Sequence, residues 1–337
     1  MKICGIIAEY NPFHKGHAYQ LQYVREHFDC IVVILSGYFS QRGLPSLLSK
    51  KDKTELALKY GADLVLELPV CFASQSANQF ARYAIESLSC IPIHSLCFGS
   101  ETNDLYFLKQ AIIQLNNQEK NPATSLQKNT PLKLGSNDIL ACQYIQYCEK
   151  YDIHPFPIQR IQTFKSATQT RYDFKNGKEQ FLDSYFLKEQ YWESYYPYLR
   201  TFLCMSSSQS LSRFFLVNEG IENRLKKCAT QYTEWKDFLE HSISKTYTRA
   251  RIQRTCLMIL LQITKQDMET LPSFFGLKVL GMNQKGKSLL KSAKYPVYTK
   301  YKDLPDVLKN IEIKSLQLYN SVLEHPIKES SVIYHDI

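Results

Sequence analysis

The sequence predicts an α/β protein: a doubly wound parallel sheet, followed by a mainly helical C-terminal domain. Three observations carry this. Short apolar runs and amphipathic segments alternate through the first half of the chain, the signature of crossover units. The runs are continuously apolar and rich in β-branched residues, as strands covered on both faces are. After about Tyr172 strand-like runs give way to helical, aromatic-rich stretches such as "YFLKEQYWESYYPYL".

The elements follow in order. "KICGIIAE" (Lys2 to Glu9) is a short apolar run that ends at a turn. "CIVVILSG" (Cys30 to Gly37), "DLVLELP" (Asp63 to Pro69) and "SLCFGS" (Ser95 to Ser100) repeat the pattern, with helical spacing at 16–27, 51–60 and 76–88 between them. The polar stretch from Asn116 to Gly135 reads as a long loop. A helix is expected near 137–151 and a further strand near 156–162. At 337 residues the chain is long for one core, so we expect two domains, residues 1–175 and 176–337.

Composition narrows the function classes. No apolar run is long enough to span a bilayer, and the N-terminus lacks the pattern of a signal peptide, so a cytoplasmic protein without a membrane partner is expected. The 10 cysteines sit singly, mostly in apolar segments, and no C-x-x-C pair occurs. That suits reduced, buried thiols, and no zinc or other protein-held metal site is expected. The formal net charge of +9 points to a polyanionic partner, most often nucleic acid.

The chemistry concentrates in "AEYNPFHKGH" (Ala8 to His17), directly after the first strand. In parallel sheets ligands bind beyond the carboxyl ends of the strands. A helix opening near Lys15 or Gly16 offers unpaired N–H groups and a partial positive charge to a phosphate. Gly16 leaves the backbone bare. His14 and His17 can share one face of the first turn and donate to phosphate oxygens, and a nearby polyphosphate favours their protonated form. Fixed donors of this kind are each worth ~2.7–4 kcal/mol to a charged transition state.

A second phosphate-binding candidate follows the strand "FPIQRIQ". In "KSATQTR" (Lys165 to Arg171), Ser166 is a good N-cap, Thr168 and Arg171 lie on neighbouring turns, and Arg171 can reach the β- and γ-phosphates. H-x-G-H after a first buried strand resembles the signature of the nucleotidyltransferase superfamily, whose Rossmann-like domain binds ATP and attacks its α-phosphorus.

Further stretches make the resemblance narrower. "GIIAEYNPFHKGHAYQLQ", "SGYFSQRGLPSLLSKKDKTELALKYGADLVLELPVCFASQSANQFARYAI", "SLCFGSE", "SNDILACQYI" and "GIENRLKKCA…YTRARIQR…ILLQIT" resemble the bacterial tRNA(Met) cytidine acetate ligase family, in its order, from Met1 to about Lys291. The resemblance implies that acetate attacks ATP to give acetyl-adenylate. The acetyl group then passes to N4 of the wobble cytidine of elongator tRNA(Met), giving N4-acetylcytidine. The partners implied are acetate, ATP and that tRNA, with no DNA, and magnesium is expected with the ATP.

Carried over residue by residue, the family's ATP segment matches Ile7, Ala8, Glu9, Tyr10, Asn11, Pro12, Phe13, His14, Lys15, Gly16, His17, Ala18, Tyr19 and Gln20. Its later glycine matches Gly99, its asparagine Asn137, its strand arginine Arg160 and its Ser-to-Arg signature Ser166 to Arg171, including Thr168. His14, His17 and Arg171 are the implied catalytic groups. "QRG" (Gln41 to Gly43) also falls near a strand end. The chain departs from the family in two places. The segment between Arg160 and Ser166 is short and lacks the usual Tyr-His pair, which shifts Arg171 relative to the phosphates. Leu44 and Ser49 stand where acidic residues are common.

The helical half carries the basic clusters. "SKTYTRARIQR" brings together Lys245, Arg249, Arg251 and Arg254 without an acid, with Ile252 facing inward and Tyr247 free to stack on a base. "NRLKK" adds Arg224, Lys226 and Lys227. These seven are the expected tRNA contacts. Two other readings compete: a nucleotidyltransferase that makes a small cofactor or activated metabolite, and a catalytically impaired RNA-binding protein that keeps the nucleotide fold.

Overall fold

The computed structural model describes residues 1–117, 134–272 and 274–335. Most of the polar stretch read as a long loop lies outside them. The first half alternates as expected: β1 (Ile3–Ala8), α1 (Lys15–His27), β2 (Cys30–Ser36), α2 (Lys50–Lys59), β3 (Leu64–Leu68), α3 (Val70–Ala73), α4 (Ala77–Ser89), β4 (Ser95–Ser100), α5 (Leu105–Asn117), α6 (Ser136–Lys150), β5 (His154–Gln159) and α7 (Ala167–Lys175). There follow α8 (Trp192–Met205), α9 (Ser208–Ser212), α10 (Ile221–Gln231), α11 (Trp235–Ser242), α12 (Arg249–Leu260) and α13 (Lys265–Thr270). The chain closes with β6 (Leu277–Met282), α14 (Gln284–Leu290), β7 (Val297–Tyr298), α15 (Asp306–Asn320) and β8 (Ile333–Tyr334).

The sheet runs β5-β4-β1-β2-β3-β6-β7, with β8 paired to β6. The first five strands are mutually parallel. Their two faces bury different residues, as a period of two requires. Cys4, Ile6, Ile31, Val33 and Leu35 pack with Leu21 and Val24 of α1 and Leu56 of α2. Ile3, Val32, Ile34 and Leu66 pack with Phe80 and Ala84 of α4 and with Ile145 of α6.

One expectation is corrected. Strands do not stop near Tyr172, because β6 returns to the sheet and pairs antiparallel with β3. Lys278 and Gly281 interrupt its apolar pattern, and each has a tertiary reason. The buried Lys278 ammonium donates to the carbonyls of Val279 and Thr299 and lies 4.3 Å from the Tyr301 ring centroid. A Cβ at Gly281 would come within 2.7 Å of Thr54 and 2.8 Å of Leu58 on α2.

The end of the chain is tied to the same layer. Buried Lys50 pairs with Glu67 at 2.7 Å and with Glu329 at 3.1 Å, and Tyr319 donates to the carbonyl of Ser46 at 2.7 Å. Nine of the ten cysteines are buried free thiols, and Cys204 is exposed. No helix among the described residues is long and apolar enough to cross a membrane.

Candidate functional site

The strand order creates the site. From β1 the chain moves to β2 and β3 on one side, then crosses to β4 and β5 on the other. The connections after β1 and β4 therefore leave in opposite directions and open a crevice at their carboxyl ends. The histidine turn follows β1, and Gly99 lies in β4.

His14 is the N-cap of α1 in extended backbone, φ −139° and ψ 172°. Its Nδ1 accepts the N–H of Gly16 at 3.1 Å, and Nδ1 of His17 accepts the N–H of His14 at 3.2 Å. The two rings thus build a reciprocal cap from imidazole nitrogens and stack at 3.7 Å between centroids. A ring nitrogen that accepts a backbone N–H carries no proton, so both neutral rings hold their proton on Nε2. Neither Nε2 meets a partner among the described residues, leaving two N–H donors at the start of the helix.

Burial and neighbouring groups set the charge that the protein itself favours on the two rings. Burial, then the nearby Arg160, lowers the His14 pKa to about 4. His17, walled by Tyr10 at 4.8 Å and Phe13 at 5.6 Å between ring centroids, is pushed well below the ordinary range by burial and by His14. The protein's own environment therefore favours neutral rings as donors. Gly16 has a further reason to be glycine: a Cβ there would lie 2.9 Å from Cε1 of His14 and displace the ring.

The opposite wall comes from β4, β5 and α6. A Cβ at Gly99 would meet no atom within 4 Å, so the strand end is open above it. Glu101 accepts from the Asn137 amide side chain at 2.9 Å and from the Asp138 N–H at 2.9 Å, and pairs with Arg160 at 3.5 Å. Asp138, fully buried, reciprocates by accepting from the Ser100 hydroxyl at 2.6 Å and the Glu101 N–H at 3.0 Å. The start of α6 is clasped to the end of β4. Glu101, Gln159, Arg160 and Gln162 line an open cavity beside it.

Both phosphate-binding candidates lie against this crevice. Ser166 caps α7 by accepting the Gln169 N–H at 3.1 Å, as expected, while Thr168 is exposed. The loop before it packs Phe164 near Gly16 and Tyr19. Arg171 reaches the histidine turn from behind. It donates to Asn11 Oδ1 at 2.6 Å, to the carbonyl of Pro45 at 3.1 Å and to that of Gln190 at 3.2 Å. Burial lowers its pKa to about 10. Asn11 itself binds Pro45 and Leu47, both at 3.0 Å, so its amide staples the neighbouring loop. Gln20 contacts Cys97, and the Tyr10 ring is buried.

The basic residues of the helical half separate into two kinds. Arg224 donates to the carbonyls of His241, Ser242 and Ile243, and Lys226 to those of Leu203 and Ser206, so both close helix ends. Lys227, Lys245 and Arg249 are exposed. Arg251 is held by Glu219 at 3.0 Å, and Arg254 is half-buried on the same helix. Ile252 turns inward as expected. Tyr247 does not present a free ring: it is buried and donates to the Glu219 carbonyl.

Sequence reasoning missed Glu101, Asp138 and Lys53. Lys53 is 1% exposed, and its ammonium donates to the carbonyls of Glu9 at 3.2 Å and Ser36 at 2.7 Å and to that of Gly37, at the ends of β1 and β2. Burial, opposed by Glu9, lowers its pKa to about 7. A signal was present: Lys50 and Lys53 precede the buried Leu56 and Ala57 at helical spacing. Glu9 accepts the Gln41 N–H, and burial raises its pKa against the pull of Arg42, Lys53 and Arg171.

Comparison with known proteins adds a lineage. The family described as HIGH nucleotidyl transferase matches residues 1–332. The tRNA(Met) cytidine acetate ligase of Geobacillus sp. is 31% identical over 392 residues, spanning 97% of this chain and 96% of that protein. The enzyme of that name from Limosilactobacillus reuteri is 29% identical over 375 residues, spanning 99% and 100%. Among solved structures, Thermotoga maritima TmcAL bound with alpha-thio ATP matches with a TM-score of 0.83 at 27% identity, covering 99% of this chain and 100% of that one. Its apo form matches with a TM-score of 0.87 at 28% identity, covering all of both chains.

Proposed function

The chain belongs to the tRNA(Met) cytidine acetate ligase family of HIGH nucleotidyl transferases, and we propose that it uses ATP and acetate to acetylate N4 of the wobble cytidine in elongator tRNA(Met). The observation that carries the proposal is the pair of Nε2–H donors at the opening of α1, which meet no partner among the described residues. An acetate oxygen attacks the α-phosphorus, the bond to the bridging oxygen breaks, and pyrophosphate leaves. The cytidine N4 amine then attacks the acetyl carbonyl, AMP departs with the bonding pair, and the amine releases one proton.

In this reading His14 and His17 donate to the phosphate oxygens as charge builds on them. The bare edge of Gly99 accepts the nucleoside, Asn137 binds its base or ribose, and Arg160 adds charge beside His14. Ser166 and Thr168 open α7 towards the outer phosphates. Arg171, bonded to Asn11, acts as a positioning residue that fixes the turn and holds a charge behind it. Residues 1–175 carry this chemistry. Residues 176–337 carry tRNA docking through Lys227, Lys245, Arg249, Arg251 and Arg254, and graft onto the sheet through β6, while Arg224 and Lys226 close helix ends.

Among the described residues no group of three His, Cys, Asp or Glu could hold a metal ion. Magnesium enters with the nucleotide in this reading, bridging its phosphate oxygens. The reaction belongs to the cytoplasm, where its tRNA is.

The test is incubation of the pure protein with ATP, labelled acetate and total tRNA, followed by nucleoside digestion. Label in N4-acetylcytidine from elongator tRNA(Met) is expected. Pyrophosphate–ATP exchange driven by a phosphorylated metabolite instead of acetate would assign a cofactor-making enzyme. Tight tRNA binding without any exchange would assign a catalytically impaired RNA-binding protein.

A further inference from the structure

The loop Gln41–Arg42–Gly43 joins the crevice to the helical half. Gln41 donates its backbone N–H to Glu9 at the end of β1. Gly43, at φ +73°, lies so close to α12 that a Cβ would stand 2.9 Å from the Arg254 backbone nitrogen. Its carbonyl accepts the Trp192 indole N–H at 2.9 Å. Between these anchors Arg42 is exposed, with no hydrogen bond or ion pair among the described residues.

Across the contact, α12 opens with Arg249, Arg251 and Arg254 and has no acid in its first turn. Cationic side chains there oppose the helix dipole. Arg251 is fixed by Glu219 at 3.0 Å, Asn218 at 2.6 Å and the Tyr247 ring at 5.1 Å from its centroid. Arg254 has no acidic partner among the described residues and is pushed down to about 10 by burial, then by Arg251 and Arg42. Like charges are thus gathered from two separate elements; Glu9 feels the charge of Arg42, but no carboxylate forms an ion pair with Arg42 or Arg254 among the described residues. Planar guanidinium forks match phosphate oxygens in pairs, and Lys245, before α12, and Arg249, at its start, are exposed.

We infer that Arg42, Arg251 and Arg254 form one RNA-backbone site at the seam between crevice and helices. Phosphates held there set a neighbouring base over the nucleotide. This rests on the ligase reading for the identity of the RNA, but assigns a contact from the nucleotide-binding layer that the basic clusters of the helical half do not contain.

The experiment measures tRNA binding by wild type, Arg42→Gln and Arg42→Lys across salt from about 50 to 200 mM. Arg42→Gln is expected to weaken binding about five-fold at low salt and to lower the log–log salt slope by about one. Arg42→Lys should restore the slope but only part of the affinity. Acetate-dependent pyrophosphate exchange without tRNA should match wild type in both variants. A wild-type slope and affinity in Arg42→Gln overturns the site and leaves the ligase reading standing. Salt-dependent tRNA binding that needs Arg42, in a wild-type protein that acetylates no tRNA, overturns the ligase reading and leaves the site. No tRNA binding by wild type overturns both.

Discussion

Replacing Gly16 with alanine isolates the placement of the histidine rings. The new Cβ would sit 2.9 Å from Cε1 and 3.1 Å from Nδ1 of His14, whereas carbon atoms pack at ~3.5–4.0 Å. The ring must retreat by about 0.5–1 Å, which breaks its 3.1 Å bond from the Gly16 N–H. Loss of such a cap costs ~1 kcal/mol, and alanine in place of glycine inside a helix returns nearly as much. Stability should therefore stay almost level. Catalysis should not, because a donor displaced by about 1 Å forfeits ~10²-fold in rate, or ~2.7 kcal/mol. Acetate-dependent pyrophosphate–ATP exchange should fall ~30–100-fold in kcat while the unfolding midpoint moves little. Exchange within about twofold of wild type would refute the claim that ring position matters.

Other expectations follow from the same geometry. His17→Ala should abolish acetate-dependent exchange yet spare tRNA binding in a filter assay, and full turnover would remove the histidine from its role. The pH profile of kcat/KM for ATP, which reports the free enzyme, should show no inflection from His14 near 6.5, because burial and Arg160 lower its pKa to about 4. The same lowered pKa sets the sign for stability. The unfolded chain binds the proton first, so the contribution of this imidazole is intact above pH 6.5 and is lost as pH falls towards 4. Urea unfolding across that range checks it. Lys53→Met leaves three carbonyls at the ends of β1 and β2 without their donor, so a loss of ~3 kcal/mol or more is expected in chemical denaturation.

The parallel half of the sheet is legible because its strands are unbroken apolar runs that need no knowledge of their neighbours. The histidine turn is legible because its residue types are expensive in a plain connection. β6 is not, because Lys278 and Gly281 make sense only once Thr299 and α2 lie beside them. The Glu101–Asp138 clasp is hidden for a similar reason: its halves are 37 positions apart, and nothing in either stretch announces the other. Among the basic residues, sequence counts charges but not donors already spent. Arg224 and Arg249 look alike in a cluster, yet one closes a helix end and the other is exposed. The neutral state of the imidazoles is likewise a product of burial, with Arg160 acting on His14 and His14 on His17.

Long-range proton–nitrogen NMR of the two imidazoles, with and without a non-hydrolysable ATP analogue, reaches the central claim most directly. Both rings should carry their proton on Nε2 at neutral pH, with His14 titrating near 4, and the Nε2–H signals should shift when the nucleotide binds. Rings that titrate near 6.5 and ignore the analogue would contradict the account.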